Sequence, residues 1–196
     1  MSNIVYIAYE DDLSLAVIQR CISQIDRKLV IGHKFWNYGS GYLRKNIVAF
    51  NELSKGMPLL LQTDLDTYEC PPSLIQNWIN VSINPHFIFC VAVREIEAWV
   101  LADRVAFSKW LNISISHLSL EPESIADPKQ YLINLVKRSR KNSLKRDIVP
   151  EKSSTAQIGK NYNGQLLNFV SQHWDMHRAA THSKSLKRMI QKLEQI

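Results

Sequence analysis

Four short apolar runs alternate with amphipathic segments over the first hundred residues. The runs cover residues 3–9, 28–35, 57–63 and 86–93. The first run is nearly continuously apolar, which is typical of a strand buried on both faces, and the other three also predict strands. Apolar residues recur at helical spacing over 13–25, 43–53, 71–79 and 94–101. The alternation predicts an α/β domain with a mostly parallel four-stranded sheet and flanking helices.

The pattern changes near residue 104, where helical periodicity continues without further strands. It predicts helices over 105–111, 128–141, 158–172 and 185–193, and loops over 38–42 and 153–157. No internal repeat interrupts the sequence. We therefore expect residues 1–103 to form an α/β core and residues 104–196 to form a helical C-terminal part of the same domain.

Positive charge is concentrated in this C-terminal part. The net charge is +6, but from Asp127 onward 14 Lys and Arg stand against 5 Asp and Glu. A basic strip lies at Lys137, Arg138, Arg140, Lys141, Lys145 and Arg146. Such clusters are typical of phosphate-backbone contacts, so the strip predicts nucleic-acid binding. Trp36 and Tyr38 are further candidates for stacking on bases.

Cysteine usage and hydropathy exclude several other classes of protein. Three widely spaced cysteines without a Cys-x-x-Cys pair argue against a disulfide framework or a zinc ribbon. No apolar run approaches the roughly 20 residues of a membrane span. The first residues lack the basic and apolar regions of a secretory signal. These features predict a cytoplasmic protein with no membrane association.

Acidic residues follow three of the four predicted strands. Glu10 follows the first, Asp64 and Asp66 the third, and Glu95 and Glu97 the fourth. The carboxyl ends of parallel strands meet at one edge of a sheet, where ligands usually bind. Clustered carboxylates repel one another unless a cation lies among them, and oxygen ligands favour Mg²⁺ or Mn²⁺. The pattern predicts a divalent-metal site.

Some of these acids also have a simpler interpretation. Asp11 or Asp12 suits the N-cap of the first helix. Glu95 and Glu97 open a helix, where the macrodipole favours acids. On an ideal helix these two glutamates lie about 200° apart, so at most one of them is expected to face the site.

Several short motifs resemble one known family. Glu10 and the Asp64-Leu65-Asp66 triplet match, in order, the acidic positions of the TOPRIM domain, which topoisomerases, primases and OLD-family nucleases share. REIEAWVLAD at 94–103 is similar to a stretch of the small TOPRIM-like DUF4276 family. GKNY at 159–162 and HSKSLKR at 182–188 resemble that family's C-terminal patterns.

The resemblance implies a TOPRIM-like fold and a Mg²⁺- or Mn²⁺-dependent nuclease. Glu10 would bind metal or act as general acid/base, and Asp64 and Asp66 would hold the first ion. Glu95 or Glu97 would bind a second ion. Lys160 would stabilise charge in the transition state.

The resemblance also suggests a biological context. Proteins of the small family are often encoded beside ATPases in anti-phage defence loci, which implies an ATPase partner and a DNA or RNA substrate. The sequence leaves the oligomeric state open, a homo-oligomer included.

Two alternative functions remain. One is a catalytically inactive module that binds nucleic acid or a partner protein. The other is a haloacid-dehalogenase-type phosphatase, because DLDT at 64–67 fits its Asp-x-Asp-x-Thr motif. That motif normally follows the first strand of its domain, whereas here two strand–helix units precede it.

Overall fold

The sheet is parallel throughout the part of the chain that the structure describes. The computed structural model describes residues 4–26, 28–35, 39–151 and 154–196. Its strands are β1 (Ile4–Ala8), β2 (Val30–Phe35), β3 (Leu59–Asp64) and β4 (Phe87–Ala92), in the order β2-β1-β3-β4. All three pairings between them are parallel. The predicted α/β class with a parallel four-stranded sheet is confirmed.

Four helices follow these strands in turn. They are α1 (Asp12–Gln24), α2 (Gly39–Leu53), α3 (Pro71–Trp78) and α4 (Ile96–Ala102). Asp11 caps α1 by accepting a hydrogen bond from the Ser14 amide at 2.8 Å. The predicted loop over 38–42 is wrong in its described part, because α2 already begins at Gly39. Trp36 and Tyr38 lie outside the described residues.

Alternate residues of each strand face two separate layers. Val5 and Ile7 of β1 pack in the larger apolar cluster with α1, whereas Ala8 packs in the smaller one with α2 and α3. β3 is buried along almost its whole length, since it lies between two strands and under helices on both faces. The sheet therefore presents only its strand ends and edges for function.

The C-terminal part is helical, as predicted. Its helices are α5 (Arg104–Leu111), α6 (Pro128–Arg138), α7 (Asn142–Ile148), α8 (Tyr162–Gln172), α9 (Met176–Ala180) and α10 (Lys184–Leu193), with 3-10 turns at Ile115–His117 and Pro122–Ser124. The pattern did not predict α7 or α9 as separate helices.

Two predicted helix boundaries are wrong for identifiable reasons. The helix predicted over 128–141 ends at Arg138, because the Ser139 hydroxyl donates to the Leu111 carbonyl and turns the chain. The helix predicted over 158–172 begins only at Tyr162. The Gly159 and Asn161 amides donate instead to carbonyls of α7, at 2.9 Å each.

The C-terminal helices share the larger apolar cluster with the sheet. Trp99 of α4 and Trp174 are fully buried, and the Trp174 indole donates to the Trp99 carbonyl at 3.1 Å. Arg178 of α9 pairs with the buried Asp103 at 2.7 Å. Both parts of the chain are therefore packed on one core.

Two further properties of the fold concern its cysteine thiols and the lengths of its helices. All three cysteines are free, and burial raises the pKa of the Cys90 thiol to about 12. Among the described residues, no helix has the length and apolar character needed to cross a bilayer.

Candidate functional site

At the carboxyl edge of the sheet, the charges of acids from two other strand–helix junctions act on Asp64. Glu10 follows β1, Asp64 is the last residue of β3, and Glu97 lies in the first turn of α4. β3 pairs with both β1 and β4, so Asp64 is the middle member. The charges of Glu10 and Glu97 both raise the Asp64 pKa.

Glu10 is held in place by its neighbour β3. Its Oε2 atom accepts hydrogen bonds from the Thr63 hydroxyl at 2.6 Å and from the Asp64 amide at 3.0 Å. Burial nevertheless raises the Glu10 pKa, and the charges of Asp66 and Asp11 add to that increase. Within the described residues, both of these hydrogen bonds go to Oε2 and leave Oε1 as the oxygen that could meet a ligand.

Asp64 is the most strongly perturbed acid of the group. Burial and the charges of Glu10, Glu97 and Asp11 raise its pKa well above the ordinary value, against a hydrogen bond from the Ile96 amide. Its Oδ1 atom also accepts from the Gln62 side chain at 3.2 Å. A nearby positive charge would favour the ionised form of Asp64 and oppose this increase in its pKa.

Asp66 lies on an exposed loop whose backbone is unusual. Asp66 and Arg94 both adopt left-handed conformations, with φ of 50° and 65°. The Asp66 amide donates to the Arg94 carbonyl at 2.9 Å, and the Arg94 guanidinium donates to the Asp66 and Tyr68 carbonyls. Left-handed non-glycine residues cost about 1 kcal/mol each and concentrate at functional sites. The loop after β3 is thereby fixed to the loop after β4.

Glu97 is buried and pairs with a residue of the C-terminal part. Only 3% of Glu97 is exposed, and its Oε1 atom lies 3.5 Å from the Lys129 ammonium of α6. The Tyr162 hydroxyl donates to the same oxygen at 3.0 Å. Burial raises the Glu97 pKa, and Lys129 opposes that increase.

The Glu95 and Glu97 carboxylates lie near the same ammonium group, although an ideal helix would point the two side chains in different directions. Its Oε1 atom lies 4.0 Å from the Lys129 ammonium, and Oε2 accepts from the Lys129 amide at 3.2 Å. Glu95 is the N-cap of α4 and has extended backbone angles, so the 100° rotation per helical residue does not apply to it. Both glutamates therefore contact the same lysine.

The GKNY pattern reaches the acids through its tyrosine. The Tyr162 hydroxyl contacts Glu97, and the Glu97 charge and burial raise the Tyr162 pKa. Gly159 lies so close to the backbone of Asp147 that a β-carbon would collide with its carbonyl. Lys160 is exposed, and its ammonium pairs with Glu151 at 2.7 Å. Its proposed catalytic role therefore needs that ion pair to break.

Lys129 and Tyr162 are members of the site that the sequence pattern did not indicate. Lys129 lies 32 positions after Glu97 in the chain, and neither it nor its Asp-Pro-Lys context carries a metal or phosphate motif. The only available signal was the Tyr162 position in the GKNY pattern. Long-range packing of α6 and α8 against α4 brings both side chains to the acids.

The basic strip lies on the surface at the junction of α6 and α7. Its side chains are exposed apart from the half-buried Lys145. The buried Ser139 fixes this junction, because its hydroxyl donates to Leu111 and accepts from the Lys141 amide. The strip thus spans two helices held at a defined angle.

Glu10, Asp64 and Glu97, here called the acid cluster, offer oxygen ligands that suit a hard cation. They do not enclose a metal position on all sides. Among the described residues, no group of three or more His, Cys, Asp or Glu side chains surrounds a single metal position. Mg²⁺ is usually held by one or two carboxylates together with water and substrate phosphate. Glu10 and Asp64 offer such a partial set, and burial together with the charge of Glu10 raises the Asp64 pKa.

Comparison with known proteins gives a structural neighbour. No protein-family model and no curated protein matches the chain. The chain is similar to the C-terminal region of the Burkholderia pseudomallei OLD protein, with a TM-score of 0.45 and 12% identity over 97% of each chain. At a TM-score below 0.5, function has to be inferred from the residues of this chain.

Proposed function

We propose that this protein is a divalent-metal-dependent nuclease that cleaves phosphodiester bonds of DNA or RNA. The observation that carries the proposal is the convergence of Glu10, Asp64 and Glu97, whose burial and mutual repulsion raise the Asp64 pKa. Such strain in a cluster of acids is expected where a cation binds. The motif resemblance to TOPRIM nucleases supports the same conclusion.

Glu10 and Asp64, with Asp66 on the adjacent loop, would hold one Mg²⁺ or Mn²⁺ ion together with water and a substrate phosphate. The ion supplies charge stabilisation at the phosphate when bound. Thr63 orients Glu10 by donating to its Oε2 atom, and the Ile96 amide orients Asp64.

Lys129 favours a site with one metal ion. Its ammonium lies 4.0 Å from Glu95 and 3.5 Å from Glu97, where a second cation bound by these glutamates would have to compete with it. We infer that Lys129 supplies a fixed positive charge beside Asp64, whose charge raises the Lys129 pKa. Glu95 and Glu97 would hold Lys129 in that position.

The basic strip would bind the phosphate backbone of the substrate. Five exposed cations and the half-buried Lys145 lie across two helices that also include Lys129, the residue that contacts Glu97. An ATPase partner and a role in bacterial anti-phage defence complete the proposal, and they rest on the motif resemblance alone. A cytoplasmic location is proposed from cysteine usage and hydropathy.

The test is cleavage of plasmid DNA, single-stranded DNA and RNA by the purified protein with Mg²⁺ or Mn²⁺. Glu10→Gln and Asp64→Asn should abolish cleavage, and EDTA should abolish it in the wild type. Asp26→Asn is the matched control, because Asp26 is exposed and lies outside the cluster. Cleavage that survives in both cluster variants would overturn the proposed site.

Metal binding gives a readout that is independent of cleavage. A saturating ion should stabilise the wild type by about 2.7 kcal/mol at one hundred times its Kd, and it should not stabilise Asp64→Asn. Nucleic-acid binding without cleavage and without stabilisation by metal would favour the catalytically inactive binding module. Phosphate release from small monoesters, with long nucleic acid left intact, would favour the phosphatase.

A further inference from the structure

We propose that the open edge of β4 binds an extended, acidic segment of a partner protein as an additional strand. β4 is the last strand of the sheet, so within the described residues one of its sides pairs with no other strand. A groove of about 410 Å³ follows that side, with α3 as one wall and α10 as the other. This surface is separate from the acids at the strand ends.

The backbone of β4 presents its hydrogen-bonding groups to the groove in a defined pattern. Leu59 and Leu65 donate to the carbonyls of His86 and Ala92, so the even-numbered residues of β4 face β3. Strand alternation then turns the N–H and C=O groups of Phe89 and Val91 towards the groove, which both residues line. Unpaired groups of this kind are the template for strand addition.

Intramolecular bonds limit the open part of the edge at both ends. The Phe87 amide donates to the Asn84 carbonyl at 2.9 Å. The Val93 amide donates to the Ser185 hydroxyl at 3.4 Å. The edge can therefore accept only a short strand, paired mainly with Phe89 and Val91.

The groove continues along the strand towards its start. A smaller cavity of about 150 Å³ lies beside Phe87 and Ile88, and it shares Lys192 and Gln195 with the larger groove. The residues that flank the paired part of a bound segment could occupy this cavity, while its backbone pairs with Phe89 and Val91.

Charge on α10 selects an acidic occupant. The helix carries Lys184, Lys187, Arg188 and Lys192 and no acid. Arg188 and Lys192 line the groove one helical turn apart, are exposed, and make no ion pair with any described residue. A second copy of this chain would bring the same cations to the edge and be repelled, whereas an acidic segment would be attracted.

The wall formed by α3 offers few backbone N–H donors to a bound segment. Pro71 and Pro72 line it, and neither has a backbone N–H group. Together with Ile75 they form an apolar surface for alternate side chains of the added strand. The expected ligand therefore has small β-branched residues in its centre and Asp or Glu at its ends.

The test is an NMR titration of the full chain with the synthetic octapeptide EETVTVEE. We expect the amides of Phe89 and Val91, but not those of Ile88 and Cys90, to become protected from exchange. The same peptide N-methylated on alternate residues is the matched control, because it keeps the charge and loses the backbone donors. Unchanged protection at Phe89 and Val91 in millimolar peptide, or equal binding of the methylated peptide, would overturn the proposal.

A charge-reversed protein tests the role of α10. Arg188→Glu with Lys192→Glu should weaken EETVTVEE binding about tenfold and should favour the lysine-flanked peptide KKTVTVKK, since close charges set partner choice. Both side chains are exposed, so circular dichroism should show an unchanged fold. Equal affinity of the wild type for both peptides would contradict the acidic-segment proposal. A sedimenting homodimer paired through β4 would identify a second copy as the occupant and overturn it as well.

Discussion

Asp64 is a partly buried aspartate that lies among other acids at the end of β3. It combines burial with three neighbouring acids, and its pKa is raised well above the ordinary value. The strand pattern predicted its position at the carboxyl edge of the sheet. Its repulsive neighbours depend on the register of β1 and β4 against β3, which the sequence pattern does not specify.

Replacement of Asp64 by Asn should stabilise the protein in EDTA. The amide keeps an acceptor for the Ile96 amide and removes the repelled charge, so we expect a gain of about 1 kcal/mol in the free energy of unfolding. Because the pKa is raised in the folded state, wild-type Asp64 gains a proton as the pH falls. The gain should therefore shrink as the pH is lowered towards about 4.

Urea unfolding followed by circular dichroism measures this difference. Asp26→Asn is the control, since an exposed aspartate should change the free energy of unfolding by less than about 0.5 kcal/mol. A gain that stayed constant across the pH range would show that repulsion at Asp64 is not its origin.

Lys129 and Glu97 should be energetically coupled. Lys129→Met leaves the buried Glu97 without its cation, and the half-exposed lysine reduces the cost to about 1–2 kcal/mol. In a Glu97→Gln background, which still accepts from Tyr162, the same change should cost about 1 kcal/mol less. A double-mutant cycle in urea measures the coupling, and additive costs would contradict it.

At the scale of elements, periodicity identified the strands and most of the helices. The apolar runs predicted all four strands to within a few residues. β3 and β4 are buried on both faces and read as continuous apolar segments, whereas β2 is a largely exposed edge strand. The periodicity did not separate α6 from α7, because the hydrogen bond from the Ser139 hydroxyl to the Leu111 carbonyl turns the chain between them. Contacts of that kind join residues 28 positions apart and leave no local signal.

The α6–α7 junction should determine the salt dependence of nucleic-acid binding. Arg138→Ala with Arg140→Ala removes two exposed charges, so the slope of log K against log salt should fall by about 2 for duplex DNA. Fluorescence anisotropy with a labelled duplex measures the slope. Arg44→Ala with Lys45→Ala on α2 removes the same charge elsewhere, and an equal effect there would show that binding is not localised to the strip.

At the scale of the whole molecule, the two parts of the chain should unfold as one unit. Trp99 and Trp174 are fully buried together, and Arg178 pairs with Asp103 across the boundary at residue 103. We expect the calorimetric and van't Hoff enthalpies of unfolding to agree. A fragment of residues 1–103 should fail to fold, since it would expose the apolar surface that α8 and α10 cover. Two separate transitions would contradict this prediction.

The sequence predicted how charge is distributed over the molecule, but not which charged residues contact one another. The basic C-terminal part was evident from composition, and so were the acids at the strand ends. The contact of Lys129 with Glu97 was not, because a lysine at the start of a helix gives no sign of a partner 32 positions earlier in the chain.

The dependence of the acid cluster on Lys129 and Tyr162 also determines when the site can form during synthesis. Translation delivers Glu10, Asp64 and Glu97 well before Lys129, and Tyr162 later still. Until α6 and α8 have been made and docked, Glu97 has neither its cation nor its hydroxyl donor. A nascent chain that still lacks α6 and α8 would therefore carry an acid cluster without these two stabilising contacts.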